Sequence, residues 1–193
     1  MKVLLVYPEY PDTFWRLKHT LRFISKKAAH PPLGLLTVAS LLPSAWEKRL
    51  IDMNVSPLKD QDIRWADYVL IGAMGVQRPS AEEIIERCRK LGVKTVAGGP
   101  LFCIDSDQFD MVDHLVLGEA EVTLPLFLED LANGHPKHLY NSAELPDLNR
   151  TPIPMWDLVD IKKYAVMSAQ YSRGCPFNCE FCNVVTLNGR VPR

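Results

Sequence analysis

A doubly wound, parallel α/β sheet is the fold class that this sequence predicts, and three observations carry the prediction. Short apolar runs alternate with amphipathic stretches over roughly residues 1–135. The runs are continuously apolar rather than alternating, the pattern of strands covered on both faces. Right-handed crossovers between five such strands make a flavodoxin-like order, 2-1-3-4-5, the economical topology.

The elements follow in order. "KVLLVYP" (2–8) reads as a buried first strand. The connection from Glu9 to Pro32 is long for a strand-to-helix loop, and loops of that size are often functional. "PLGLLTVASLL" (32–42) reads as a buried helix and "RLIDMN" (49–54) as the second strand. Only a short helix fits before the third strand, "YVLIGAM" (68–74). "SAEEIIERCRKLG" (80–92) is the clearest helix: Ser80 and Glu83 have capping-box spacing, and Ile84, Ile85, Cys88 and Leu91 share one face. Glu83–Arg87 and Glu86–Lys90 are favourable pairs on its wet side, and Gly92 suits its end. "KTVAGGP" (94–100) is the fourth strand, and a short helix leads to the fifth, "HLVLGE" (114–119). "EAEVTLPLFLEDLANG" (119–134) closes the domain as a helix in which Pro125 forces a late start or a kink.

Beyond residue 135 the character changes. Residues 136–163 are proline-rich with little periodicity and read as a linker or strap. "YAVMSAQYSRG" (164–174) reads as a further strand that opens a second domain over 164–193. The sequence has 22 basic and 23 acidic residues, a net charge of −1, which provides no general field for nucleic acid or an anionic membrane. No run approaches the roughly 20 apolar residues of a membrane span, and the N-terminus does not read as a secretory signal. The expectation is a cytoplasmic protein without a nucleic-acid partner. Five cysteines, an odd number, fit reduced thiols better than a disulfide framework.

Three of those thiols, Cys175, Cys179 and Cys182, fall in "SRGCPFNCEFC". Thiolates bind soft or borderline metals, and a structural zinc site normally takes four protein ligands. This loop supplies three. Cys88 lies on the apolar face of a helix and Cys103 is far upstream, so zinc and chance clustering are the weaker readings. Three cysteines around a cubane iron–sulfur cluster would leave one iron open to a substrate or cofactor.

The CxxxCxxC pattern with Phe181 before its last cysteine, led by Arg-Gly-Cys-Pro, resembles the radical S-adenosylmethionine (SAM) family. The resemblance implies that Cys175, Cys179 and Cys182 ligate a 4Fe–4S cluster and that SAM chelates the fourth iron. Phe181 would help to form the adenine end of the SAM pocket, and the reduced cluster would generate a 5′-deoxyadenosyl radical. An external electron donor of flavodoxin or ferredoxin type is implied as well.

Upstream, "PPLGLLTVASLLP", "WEKRLIDMNV", "WADYVLIGAMGVQRP", "VAGGP" and "LGEAE" resemble, in order and spacing, the N-terminal domain of cobalamin-dependent radical SAM enzymes. The candidate cobalamin-binding residues are Met74, Gly75, Gln77, Gly98, Gly99, Pro100, Gly118 and Glu119, all at strand ends, where such sheets bind ligands. Gly75, Gly98 and Gly99 would let backbone approach a ring closely. Met74 would offer a soft contact and Gln77 an amide, and Glu119 would accept hydrogen bonds at a helix start. Taken singly, each glycine reads better as an ordinary turn. The DxHxxG motif, whose histidine ligates cobalt in many such domains, is absent. His19, His30, His114, His135 and His138 are scattered and read as surface or loop residues, so cobalamin is expected to lack a histidine lower ligand.

A phosphoacceptor receiver would need a carboxylate where the third strand ends "IGAMG", and a nucleotide-binding sheet would want GxGxxG after the first. Neither is present. The expectation is a cobalamin-binding domain (1–135), a linker (136–163) and the start of a truncated radical SAM (β/α) barrel (164–193). The complete enzyme would be a methyltransferase acting on an unactivated carbon of a small-molecule substrate. The alternative is a non-catalytic cobalamin carrier with vestigial cysteines.

Overall fold

The computed structural model describes residues 1–13 and 16–193; Phe14 and Trp15, within the long first connection, lie outside the described residues. Six parallel strands form one sheet in the order β2-β1-β3-β4-β5-β6. They are β1 (Lys2–Tyr7), β2 (Glu47–Asp52), β3 (Tyr68–Gly72), β4 (Lys94–Gly98), β5 (His114–Val116) and β6 (Leu139–Tyr140). The first five stand in the expected order. β6 arises inside the proline-rich stretch read as linker, where it pairs with β5 through Leu115↔Leu139 and Val116↔Tyr140.

Alternation along the central strands explains why both faces are covered. In β1, Leu4 and Val6 enter one core with Val69 and Ile71 of β3. Val3 and Leu5 enter the other with Tyr68 and Leu70. The first core is closed by α3 (Asp60–Trp65), α4 (Arg78–Leu91) and α5 (Pro100–Ile104), through Ile63, Ile84, Ile85, Cys88, Leu101 and Phe102. The second is closed by α2 (Leu33–Leu41) and α6 (Ala120–Ala132), through Leu35, Ala39, Leu124 and Phe127. Two apolar faces buried on one sheet are what the continuous apolar runs require.

Several local expectations change. α4 starts two residues before Ser80, with Gln77 as its N-cap and Pro79 in its first turn. Ser80 does not cap it; its hydroxyl accepts from Glu9 N at 2.9 Å and so ties the first connection to α4. The expected Glu83–Arg87 and Glu86–Lys90 pairs form, at 3.9 and 3.5 Å. α6 begins at Ala120 and runs through Pro125, without the late start. His114 is not a surface residue: it is buried at the start of β5, its Nδ1 2.7 Å from the Lys137 carbonyl and its ring beside Phe127.

The linker is an ordered strap. Met155 N donates to Leu36 O at 3.0 Å, and Ser40 Oγ donates to Ile153 O at 2.7 Å, which holds the strap to α2. Residues 164–174 do not form the expected strand. Tyr164 makes a single parallel bridge with Ala28, and the stretch beyond it is irregular. α1 (Lys18–Phe23) and α7 (Val184–Asn188) complete the helices.

Candidate functional site

In parallel sheets the strand-to-helix turns gather at one edge, and three of these turns matter here. After β3, the Ala73 carbonyl accepts from Leu101 N at 3.0 Å, which draws the turn after β4 against it. Gly99 makes this turn at φ +88°, a conformation side chains rarely adopt, with Ala73 N and O 3.4 Å from where a Cβ would stand. Gly98 is tighter, since its Cβ would stand 2.6 Å from the Val116 carbonyl. After β5, Gly118 takes φ +78° and donates from its amide to Cys103 Sγ at 3.2 Å. Burial pushes the Cys103 thiol up, against the lowering by the Gly118 and Gly99 backbone.

These turns open on a cavity of about 420 Å³ lined by Gly99, Pro100, Cys103, Gly118 and Glu119. Its other wall includes Val185 and Leu187 of α7. The structure therefore brings four of the eight candidate residues together. Met74 and Gly75 are exposed just beyond Ala73, where a Cβ on Gly75 would meet nothing. Gly98 sits beneath, packed on β5. Gln77 departs from expectation: it is fully buried, its Oε1 accepts from Met74 N at 2.8 Å, and its Nε2 donates to Pro8 O at 2.5 Å. Its amide holds two loops together and is not offered to a ligand.

Glu119 is the N-cap residue of α6 but makes no capping bond with its side chain. Its carboxylate accepts instead from Arg173 Nη1 at 2.6 Å and from Arg193 Nη2. Arg173 also reaches Glu121, at 3.1 and 2.7 Å. Burial alone would raise the Glu121 carboxyl; the Arg173 hydrogen bonds and charge, the residue's own backbone amide and the Thr151 hydroxyl together outweigh it and hold the group below the usual carboxylate range. Burial would likewise lower Arg173, and its two carboxylate partners reverse that. Composition and spacing carry no sign of these pairs, because their partners lie 52 and 54 positions apart.

The cysteine segment is a closed arm. Arg173 N donates to Arg193 O at 3.1 Å, Arg193 N to Arg173 O at 2.9 Å, and Cys175 N to Gly189 O at 3.1 Å. Gly174, at φ +88°, is required there, since any Cβ would collide with the Val191 carbonyl. Cys175 and Cys182 are half-buried, and Cys179 is exposed. All five cysteines are free, and burial pushes Cys88 up to about 12, out of ligand chemistry. Phe181 stands 92% exposed. Among the described residues, no three His, Cys, Asp or Glu side chains are grouped so as to hold a metal ion. The three thiols of the loop fit an iron–sulfur cluster by donor chemistry but are not gathered around one centre. The missing side chains of Gly98, Gly99 and Gly118 face the domain's own backbone and let the turns pack on one another, while Gly75 faces open space, where backbone is free to approach a ring.

No helix among the described residues is long and apolar enough to cross a membrane.

Residues 21–128 match the B12 binding domain family. Over its whole length the chain is 43% identical to an uncharacterized methyltransferase of Synechocystis sp., of which it covers 36%. It is 32% identical, again over its whole length, to the hopanoid C-2 methylase of Rhodopseudomonas palustris, covering 37% of that protein. Over 87% of this chain it is 29% identical to the bacteriochlorophyllide d C-8(2)-methyltransferase of Chlorobaculum tepidum, covering 38% of it. The chain thus spans well under half the length of these relatives.

Proposed function

The chain belongs to the B12-binding domain family, and from that premise we propose that it is the cobalamin-holding part of a radical SAM methyltransferase. The observation that carries this reading is the juxtaposition of two features. The cavity at the ends of β4 and β5 has glycine turns on one side and the cysteine-bearing arm on the other. Two relatives named as methylases or methyltransferases of hopanoid and bacteriochlorophyllide substrates agree with it.

In this reading Gly99, Pro100, Gly118 and Glu119 border the corrin, Met74 and Gly75 shape the rim around it, and Gly98 lets β4 pack on β5 beneath it. Cys175, Cys179 and Cys182 are the cluster's three protein ligands, and Phe181 contributes to the SAM pocket. Cobalamin supplies a transferable methyl group, while the cluster and SAM supply the radical that readies an unreactive carbon. The chain's own residues orient and enclose. The β4 and β5 turns hold backbone close to the ligand, and α7 covers the cavity from the far side. An external one-electron donor of flavodoxin or ferredoxin type completes the set of partners, with a small-molecule substrate.

A second reading is a cobalamin carrier without a cluster, and one observation favours it: the three thiols are not gathered. Anaerobic reconstitution with iron, sulfide and methylcobalamin separates the two. The enzyme reading expects corrin and iron–sulfur absorbance together after desalting, with only the latter lost in Cys179→Ala. Corrin without cluster supports the carrier, and loss of corrin contradicts both.

A further inference from the structure

The four-charge cluster between the sheet and the cysteine arm has a geometry that stability alone does not demand. Side-chain exposure is 7% for Glu119, 10% for Glu121 and 13% for Arg173. Two buried carboxylates side by side repel unless a cation bridges them. Arg173 does so with its whole fork: Nη1 to Glu119 and Glu121, Nη2 to Glu121, and Nε to Gln170 Oε1 at 2.9 Å. Thr151 Oγ1, from the strap, donates to Glu121 at 3.0 Å and fixes the second carboxylate. Arg193 joins from the end of the arm: Nη2 donates to Glu119 and to Asn188 O at 3.2 Å, Nη1 to Pro146 O at 3.2 Å, and Nε is buried without a hydrogen bond. A buried ion cluster of this kind is weak evidence for stability, because apolar replacements often do as well; its distinctive property is direction.

That direction points along the chain to the first cysteine. Arg173 stands two residues before Cys175, and the intervening Gly174 is held in a turn that no side chain could share. On the other side, Glu119 directly follows Gly118 at the cavity rim. We infer that Arg173, seated in the socket formed by Glu119 and Glu121, is a positioning residue that sets where the cysteine loop stands relative to the cobalamin end of the sheet. The inference rests on the function proposed above for the meaning of the two ends. The socket itself is independent of that reading.

The test compares Arg173→Gln and Arg173→Lys with the parent chain by amide hydrogen exchange, without added cofactor. Loss of the fork is expected to speed exchange across residues 172–193 by about tenfold or more in Arg173→Gln, as a local opening would. Arg173→Lys, which keeps the charge without the fork, is expected to fall between it and the parent. Amides of β1 and β3 stay as slow as in the parent, and adding Glu121→Gln to Arg173→Gln brings no further increase. Unchanged exchange in 172–193 overturns the inference, and so does equal acceleration of β1 and β3, which marks a purely global role. Should Arg173→Gln fail to fold, Arg173→Lys decides by the same criteria. In chain loaded with both cofactors, Arg173→Lys is expected to keep corrin and cluster content while altering the electron-spin coupling between cob(II)alamin and the reduced cluster. Unaltered coupling also overturns the inference. Failure to load either cofactor counts against the proposed function, and the exchange result still judges the socket.

Discussion

The Tyr164 hydroxyl donates to Asp52 Oδ2 at 3.0 Å, across 112 positions of chain. Asp52 ends the edge strand β2 and is buried, with Oδ1 already accepting from Asn54 N and Nδ2 at 2.8 Å. The bond pins the chain at the end of the strap to the carboxyl end of β2, beside the first connection, where Lys27 N donates to Lys163 O at 2.8 Å. The strap thus packs against the domain at both α2 and β2.

Tyr164→Phe removes the hydroxyl and leaves Asp52 Oδ2 buried without its donor. The expected cost is about 1–3 kcal/mol of unfolding free energy, the usual range for a buried polar group stripped of its partner. A urea titration that shows a lowered midpoint with unchanged slope checks it.

The same carboxylate has a pH signature. Burial raises Asp52 above its ordinary 3.8, against the lowering by the Asn54 and Tyr164 hydrogen bonds and the Arg16 charge. The folded state therefore holds this proton to higher pH than the unfolded state does. Its contribution is fully present below the unfolded value and is lost as pH rises through the folded one. Asp52→Asn removes that titration, so the stability of the parent relative to the variant should fall with rising pH and then level off. Urea unfolding of both proteins at stepped pH measures the difference; a parent advantage that grows with pH contradicts the assignment.

The glycines separate ligand contact from folding. Gly75→Ala adds a methyl where nothing lies within 4 Å, so its melting temperature should stay near the parent's while cobalamin retention falls if the corrin passes over it. Gly98→Ala drives its Cβ into the Val116 carbonyl and should lose stability with or without ligand. Thermal unfolding paired with corrin absorbance after desalting reads both.

The parts of the fold legible in sequence were those dictated by local pattern. Val3 to Val6 and Tyr68 to Ile71 announced strands because both sheet faces are buried, and the α4 stripe announced its helix. β6 was not legible, since two residues carry no periodicity and Leu139–Tyr140 exists only because β5 offers an edge. Ser80 had the spacing of a cap, but a distant backbone amide, that of Glu9, claimed its hydroxyl. In the candidate site, Gly99, Pro100, Gly118 and Glu119 were legible as turns at strand ends. Gln77 and the arginine partners of Glu119 were not, because burial and long-range ion pairing leave no local mark.

Cobalamin is expected to bind at the ends of β3, β4 and β5 without a protein histidine on cobalt. Electron paramagnetic resonance of cob(II)alamin bound to the chain, prepared with natural-abundance and uniformly ¹⁵N-labelled protein, tests it most directly. The corrin should stay with the protein, and its spectrum should be the same in both preparations. A splitting that changes with protein labelling, or a corrin that washes away, would contradict it.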